Sequence, residues 1–84
     1  MAKLLEKPEE LKVNVNLQGV PLTLVRNGEA QRITKVYQRW RVVEQWWGKE
    51  IARNYFRVKT NRGLVYDIYR DMPTGCWYLS RIHD

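Results

Sequence analysis

The sequence predicts an all-β domain, an antiparallel meander of about six strands that forms a small barrel or a curled sheet. Three observations predict it. Residues 11–18 alternate strictly between apolar and polar side chains. Asn27-Gly28 and Asn61-Arg62-Gly63 are hairpin-turn signals between runs rich in β-branched and aromatic residues. Counting back from the second turn sorts the flanking residues into one apolar and one polar face. A chain of 84 residues is expected to be one domain. We place that domain at 11–84, after a flexible polar lead-in at 1–10 that ends in Pro8-Glu9-Glu10.

LKVNVNLQ is the first strand. Leu11, Val13, Val15 and Leu17 are expected to face inward, with Lys12, Asn14, Asn16 and Gln18 outward. Gly19 ends it. VPLTLV (20–25) is a short second strand, with Pro21 near its start where a missing N–H is tolerated. Asn27-Gly28 suits a type I′ turn, which needs positive φ at both central residues. QRITKVYQ (31–38) is the returning strand.

RWRVVEQWWG (39–48) admits two readings. Val36, Trp40, Val43 and Trp47 fall at helical spacing, with Gly48 as a possible C-cap. As a strand, Trp40, Val42 and Trp46 share a face, expected to point inward, and Arg39, Arg41, Val43 and Trp47 share the outward one. Its Val and Trp content favours the strand.

IARNYFRVKT (51–60) and LVYDIYRD (64–71) flank a three-residue loop whose Gly63 takes the left-handed position of a G1 bulge. That loop pairs Thr60 with Leu64. Val58 then faces Tyr66 and Phe56 faces Ile68 on the apolar side. Arg57 faces Asp67, Tyr55 faces Tyr69 and Arg53 faces Asp71 on the other. A one-residue slip would mix the two faces. Met72-Pro73-Thr74-Gly75 is a further turn, and CWYLSRI (76–82) the last strand.

From Pro21 onward the chain resembles a family of short, uncharacterised bacterial domains. They occur alone and at the C-terminal end of proteins related to Y-family DNA polymerases, accessory factors in damage-induced mutagenesis. The resemblance is carried by Trp46-Trp47, Arg53-Asn54-Tyr55-Phe56-Arg57-Val58, Tyr69-Arg70-Asp71, Gly75-Cys76-Trp77-Tyr78-Leu79 and Asp84. The family usually has Asp where this chain has Asn54. The resemblance implies an association with DNA damage tolerance and brings no established activity.

No enzyme is expected. The one histidine, His83, is next to last, and its pairing with Cys76 lacks any activating pattern. Asp67 and Asp71 are expected to face arginines, which keeps them ionised. No catalytic residue, metal ligand set or cofactor is predicted. A lone cysteine and the absence of a secretory pattern point to the cytoplasm, and no apolar run suits a membrane span.

A net charge of +6 favours polyanionic partners. β-Platforms bind single strands by stacking bases on aromatics beside Arg and Lys. Lys35, Tyr37, Arg39 and Arg41 have that character on one strand, and Tyr55 and Tyr69 on the hairpin. If the strands are neighbours, these faces merge into one basic, tyrosine-studded surface. Lys35, Arg39 and Arg41 are the stronger candidates, because Arg53 and Arg57 have acids opposite them. Single-stranded or duplex nucleic acid is thus the expected partner. The alternative is a protein partner, of the DNA-repair machinery by the resemblance, with whichever of Trp46, Trp47 and Trp77 is exposed as hot spot. Monomer and homodimer are both open.

Overall fold

A computed structural model describes residues 2–83, with side chains at 8–45 and 47–83. Its six strands are β1 (Ala2–Val15), β2 (Pro21–Arg26), β3 (Glu29–Trp46), β4 (Lys49–Thr60), β5 (Val65–Asp71) and β6 (Trp77–His83). Each pairs antiparallel with the next, and β1 pairs with β6, so the sheet closes into a ring. The described residues contain no helix. The expected all-β meander is therefore the fold.

β1 starts earlier than the sequence suggests. Residues 2–10 of the expected lead-in belong to it, and β1 pairs with β6 at 2–4 and 9–11 across an irregularity. Closing the ring covers what would otherwise be the open edge of β6. Leu11 marks where apolar side chains enter the core; it is buried, and Val13 packs against the same cluster. The alternation then fails. The register shifts at Asn14/Val15, and Leu17, expected inward, is exposed in the turn. Asn16 organises that turn by accepting hydrogen bonds at Oδ1 from the amides of Gln18 and Val20.

The hairpin signals hold. Asn27 and Gly28 have φ of 52° and 77°, as a type I′ turn requires. At the other loop the Thr60 amide donates to the Leu64 carbonyl and the Gly63 amide to the Thr60 carbonyl, both at 2.9 Å. All five pairings expected from that loop at 53–58 are present. Gly63 sits at φ 76° with nothing within 4 Å of where a Cβ would be. A Gly63→Ala variant therefore meets a conformational cost and no clash. It should lose about 1 kcal/mol in equilibrium denaturation; an unchanged midpoint would mean the position does not need a left-handed residue.

Residues 39–46 are strand, so the helical reading fails. The ladder with β4 runs out to Trp46 opposite Lys49, and Trp47 and Gly48 form the connecting turn, with φ of 50° and 78°. Trp47 is 88% exposed at this tip. A tryptophan rarely takes the left-handed region, so Trp47-Gly48 does not read as a turn from sequence.

Two irregularities in β3 decide which way its side chains point. The register against β4 shifts between Ile33 and Lys35 and again between Val36 and Gln38. Each bulge inserts one residue and reverses the alternation. Lys35 lies opposite Lys59, outside the ring, and Val36 opposite Val58, inside. Beyond the second bulge Trp40 lies opposite Tyr55, while Arg39 lies opposite Phe56 and Arg41 opposite Asn54. Trp40, expected inward, therefore faces out, and Arg39 and Arg41, expected outward, face in. The expectation for Trp46 falls on a side chain outside the described residues.

The ring is packed with Leu24, Val58, Tyr66, Ile68 and Leu79, each at most 1% exposed. β2 pairs with β3 only over 29–32. From Ile33 onward the far side of β3 has no strand neighbour, and the ring opens there into a mouth beside the β1–β2 turn.

Candidate nucleic-acid interface

The mouth holds the site. Arg41, Asn54, Arg70 and Trp77 stand directly opposite one another across β3, β4, β5 and β6, forming one row on the inner face. The next row inward begins with Arg39 opposite Phe56. Together they line a cavity of about 480 Å³ between the β3–β4 hairpin and the β1–β2 turn, with Gln18 and Gly19 on the turn side. Among the described residues no carboxylate lines it. Phe56 and Trp77 are buried at its floor with ring centroids 5.6 Å apart. Asn54 is fixed at the side by donating through Nδ2 to Met72 Sδ at 3.2 Å.

The three arginines differ in depth. Arg39 and Arg41 are exposed at the rim, and neither has a carboxylate within ion-pair distance among the described residues. Arg70 is partly buried. Its Nε is enclosed with no hydrogen-bond partner among the described residues. A buried charged donor without an acceptor is costly. The described residues thus place three guanidiniums and no carboxylate around the mouth.

The outer face carries a different structure. Trp40, Tyr55, Tyr69 and Tyr78 stand opposite one another in register across the same four strands. Their centroids are 5.2, 5.0 and 5.3 Å apart, and the Trp40 and Tyr55 planes lie within 6° of parallel. Arg53 lies 4.8 Å over the Tyr69 ring and Arg57 5.8 Å over the Trp40 ring. Such contacts are each worth about 0.5–1.5 kcal/mol beyond simple burial. Stacking buries the middle of the ladder, with Tyr69 only 4% exposed, while Trp40 at its end remains 37% exposed.

Beside the ladder, Asp67 accepts two hydrogen bonds from Arg57, 2.9 Å from Nε and 3.3 Å from Nη2. His83 Nε2 sits 3.0 Å from Asp67 Oδ2, within ion-pair range though off the line of a good hydrogen bond. His83, expected at a fraying end, thus lies in β6, opposite Ala2 on one side and Val65 on the other. Burial alone would raise the Asp67 pKa. Hydrogen bonding and charge from Arg57 and His83 outweigh it and hold the carboxyl below its ordinary value.

The structure does not bring the sequence candidates together on one face. Arg39 and Arg41 enter the mouth. Lys35 and Tyr37 lie beyond the bulge, the Lys35 ammonium 4.9 Å over the Tyr37 ring. Tyr55 and Tyr69 are inside the outer ladder, although Tyr55 and Trp40 also edge the cavity of Arg39 and Arg41, and Trp47 is at the hairpin tip. The merged tyrosine-studded surface is corrected accordingly: one bulge at Tyr37 separates its two halves. Arg70, Asn54, Phe56 and Trp77 were missed as site residues. A signal existed for Arg70, since the hairpin register places it on the same face as Ile68, where an arginine is anomalous.

The described residues include no cluster of three or more His, Cys, Asp or Glu that could hold a metal, and no helix long and apolar enough to cross a membrane. A family model described as a domain of unknown function (DUF6504) matches residues 6–84. No curated protein and no solved structure matches the chain.

Proposed function

We infer the role of this chain, which belongs to the DUF6504 family of domains of unknown function, from its own geometry: it is a non-enzymatic module that binds single-stranded nucleic acid at the mouth of the ring. One observation carries the reading. Arg39, Arg41 and Arg70 converge on a single cavity that, among the described residues, no carboxylate lines. Counterion release then drives association, as for other basic grooves on single strands. Duplex is the poorer fit, because the mouth is a recess and Arg70 lies inside it, away from any flat or convex surface. The resemblance to domains fused to mutagenesis accessory proteins supports a setting in DNA damage tolerance. A lone cysteine, Cys76, suits the reducing cytoplasm.

Fluorescence anisotropy with single-stranded and duplex oligonucleotides across a salt series tests the proposal. Affinity for the single strand should fall linearly in log K against log salt, by roughly 0.7 for each phosphate engaged. Absence of binding at low salt would refute the reading.

A second reading rests on β3, whose far edge has no strand neighbour beyond Ile33. An extended peptide could add a strand there, and Lys35, Arg39 and Arg41 would favour an acidic one. On that reading the domain is an adaptor for a protein of the repair machinery. An acidic peptide would also bind more weakly in salt, so this reading is marked by peptide binding in the absence of any oligonucleotide binding.

A further inference from the structure

We propose that the mouth recognises the phosphorylated end of a strand and not its interior, with Arg70 as the residue that reads the terminal phosphomonoester. This deepens the proposed function and rests on it. Three features carry the inference.

The cavity is blind. Behind Phe56 and Trp77 the ring is filled by Val58, Ile68 and Leu79, all at most 1% exposed, so no chain can thread through. An internal phosphate could reach the enclosed Arg70 Nε only by drawing the strand in on both sides. Its volume of about 480 Å³ is typical of a small-ligand site, roughly 300–1,000 Å³. That gives room for one nucleotide, entering end first.

The donors are graded by exposure. Arg39 and Arg41 are solvated and suit the diester backbone as it arrives. The Arg70 Nε is enclosed and lacks an acceptor. Arg41 and Arg70 are separated by one strand, β4, which puts their Cα atoms about 10 Å apart. Two long guanidinium side chains at that spacing can converge on one phosphate.

The charge fits a terminus. A phosphomonoester carries about −1.5 to −2 at neutral pH, with three acceptor oxygens. A diester carries a single charge and has two free oxygens. A partly buried guanidinium with an enclosed, unpaired Nε gains most from the first, because charge-assisted hydrogen bonds are the strong ones where water is excluded.

The test uses the full chain and thymidylate oligonucleotides of one length, ending in 5′-phosphate, 3′-phosphate or hydroxyl, with a circular strand alongside. One phosphorylated end should bind at least about tenfold tighter than the hydroxyl-ended and circular strands. In an Arg70→Gln variant that increment should vanish, while binding through Arg39 and Arg41 keeps its salt dependence. Should that variant fail to fold, the wild-type Arg70 Nε–H resonance serves instead: it should shift with the phosphorylated strand and not with the hydroxyl-ended one. Equal affinity for all four strands would overturn end recognition and leave strand binding standing. No binding of any strand would overturn both. Inorganic phosphate or thymidine monophosphate shifting the Arg70 resonance at the same concentrations would show that the mouth reads free phosphate, and would overturn recognition of a strand end.

Discussion

An Arg39→Gln, Arg41→Gln double variant is expected to bind single-stranded oligonucleotides about 100-fold more weakly than the parent at low salt, with a salt slope shallower by about 1.4. Both side chains lie on the inner side of β3 at the open mouth, opposite Phe56 and Asn54. Both are exposed, and neither has an ion-pair partner among the described residues, so the substitution leaves the core untouched. Thermal stability should stay within about 0.5 kcal/mol of the parent, as for surface changes generally. The contrasting variant is Lys35→Gln, Lys59→Gln, which removes the same two charges from the outer side of the bulge. It should change affinity far less. If the two variants weaken binding alike, the contact is diffuse charge and the mouth has no special part in it.

An Asp67→Ala variant is expected to lose about 2 kcal/mol of stability, a fall in melting temperature of roughly 8–16 °C for a domain of this size. Breaking a buried ion pair from one side costs about 3–5 kcal/mol. The Asp67 side chain is 6% exposed but that of Arg57 is 32% exposed, so water can re-solvate the orphaned guanidinium and the loss is smaller. The pH dependence follows from the sign of the shift. The folded carboxyl sits below its ordinary value of 3.8. Its contribution is therefore present in full above that value and is lost as pH falls through the lower, folded pKa. The gap in stability between parent and Asp67→Asn should be constant at neutral pH and shrink in acid below 3.8. A gap that persists unchanged at low pH would mean the carboxylate charge contributes nothing.

The fold and the site were legible to different degrees, for reasons that lie in particular residues. Turn chemistry is local, so Asn27-Gly28 and Gly63 fixed two hairpins and the whole β4–β5 register. From that register the Arg57–Asp67 pair and the Tyr55–Tyr69 contact followed by counting. β3 resisted because its facing depends on bulges, and a bulge is set by how two strands pair, not by either sequence alone. The shift at Tyr37 exchanged the expected directions of Trp40 and Arg41, turning the tryptophan out to stack on Tyr55 and the arginine in to the mouth. The Trp47-Gly48 turn was obscured by a bulky residue in a conformation it seldom takes. The start of β1 was hidden because 1–10 lacks any alternation; its partner is β6, at the far end of the chain.

The central claim is that the inner mouth, and not the outer aromatic ladder, meets the nucleic acid. Titration of the labelled protein with a thymidylate oligonucleotide, followed through arginine Nε–H, tryptophan indole N–H and backbone resonances, tests it most directly. Arg39, Arg41, Arg70 and Trp77 should shift together and saturate at one concentration, while Arg53 and Tyr78 on the outer face stay in place. Shifts centred on Arg53, Tyr69 and Tyr78, with Arg70 and Trp77 unmoved, would contradict the account.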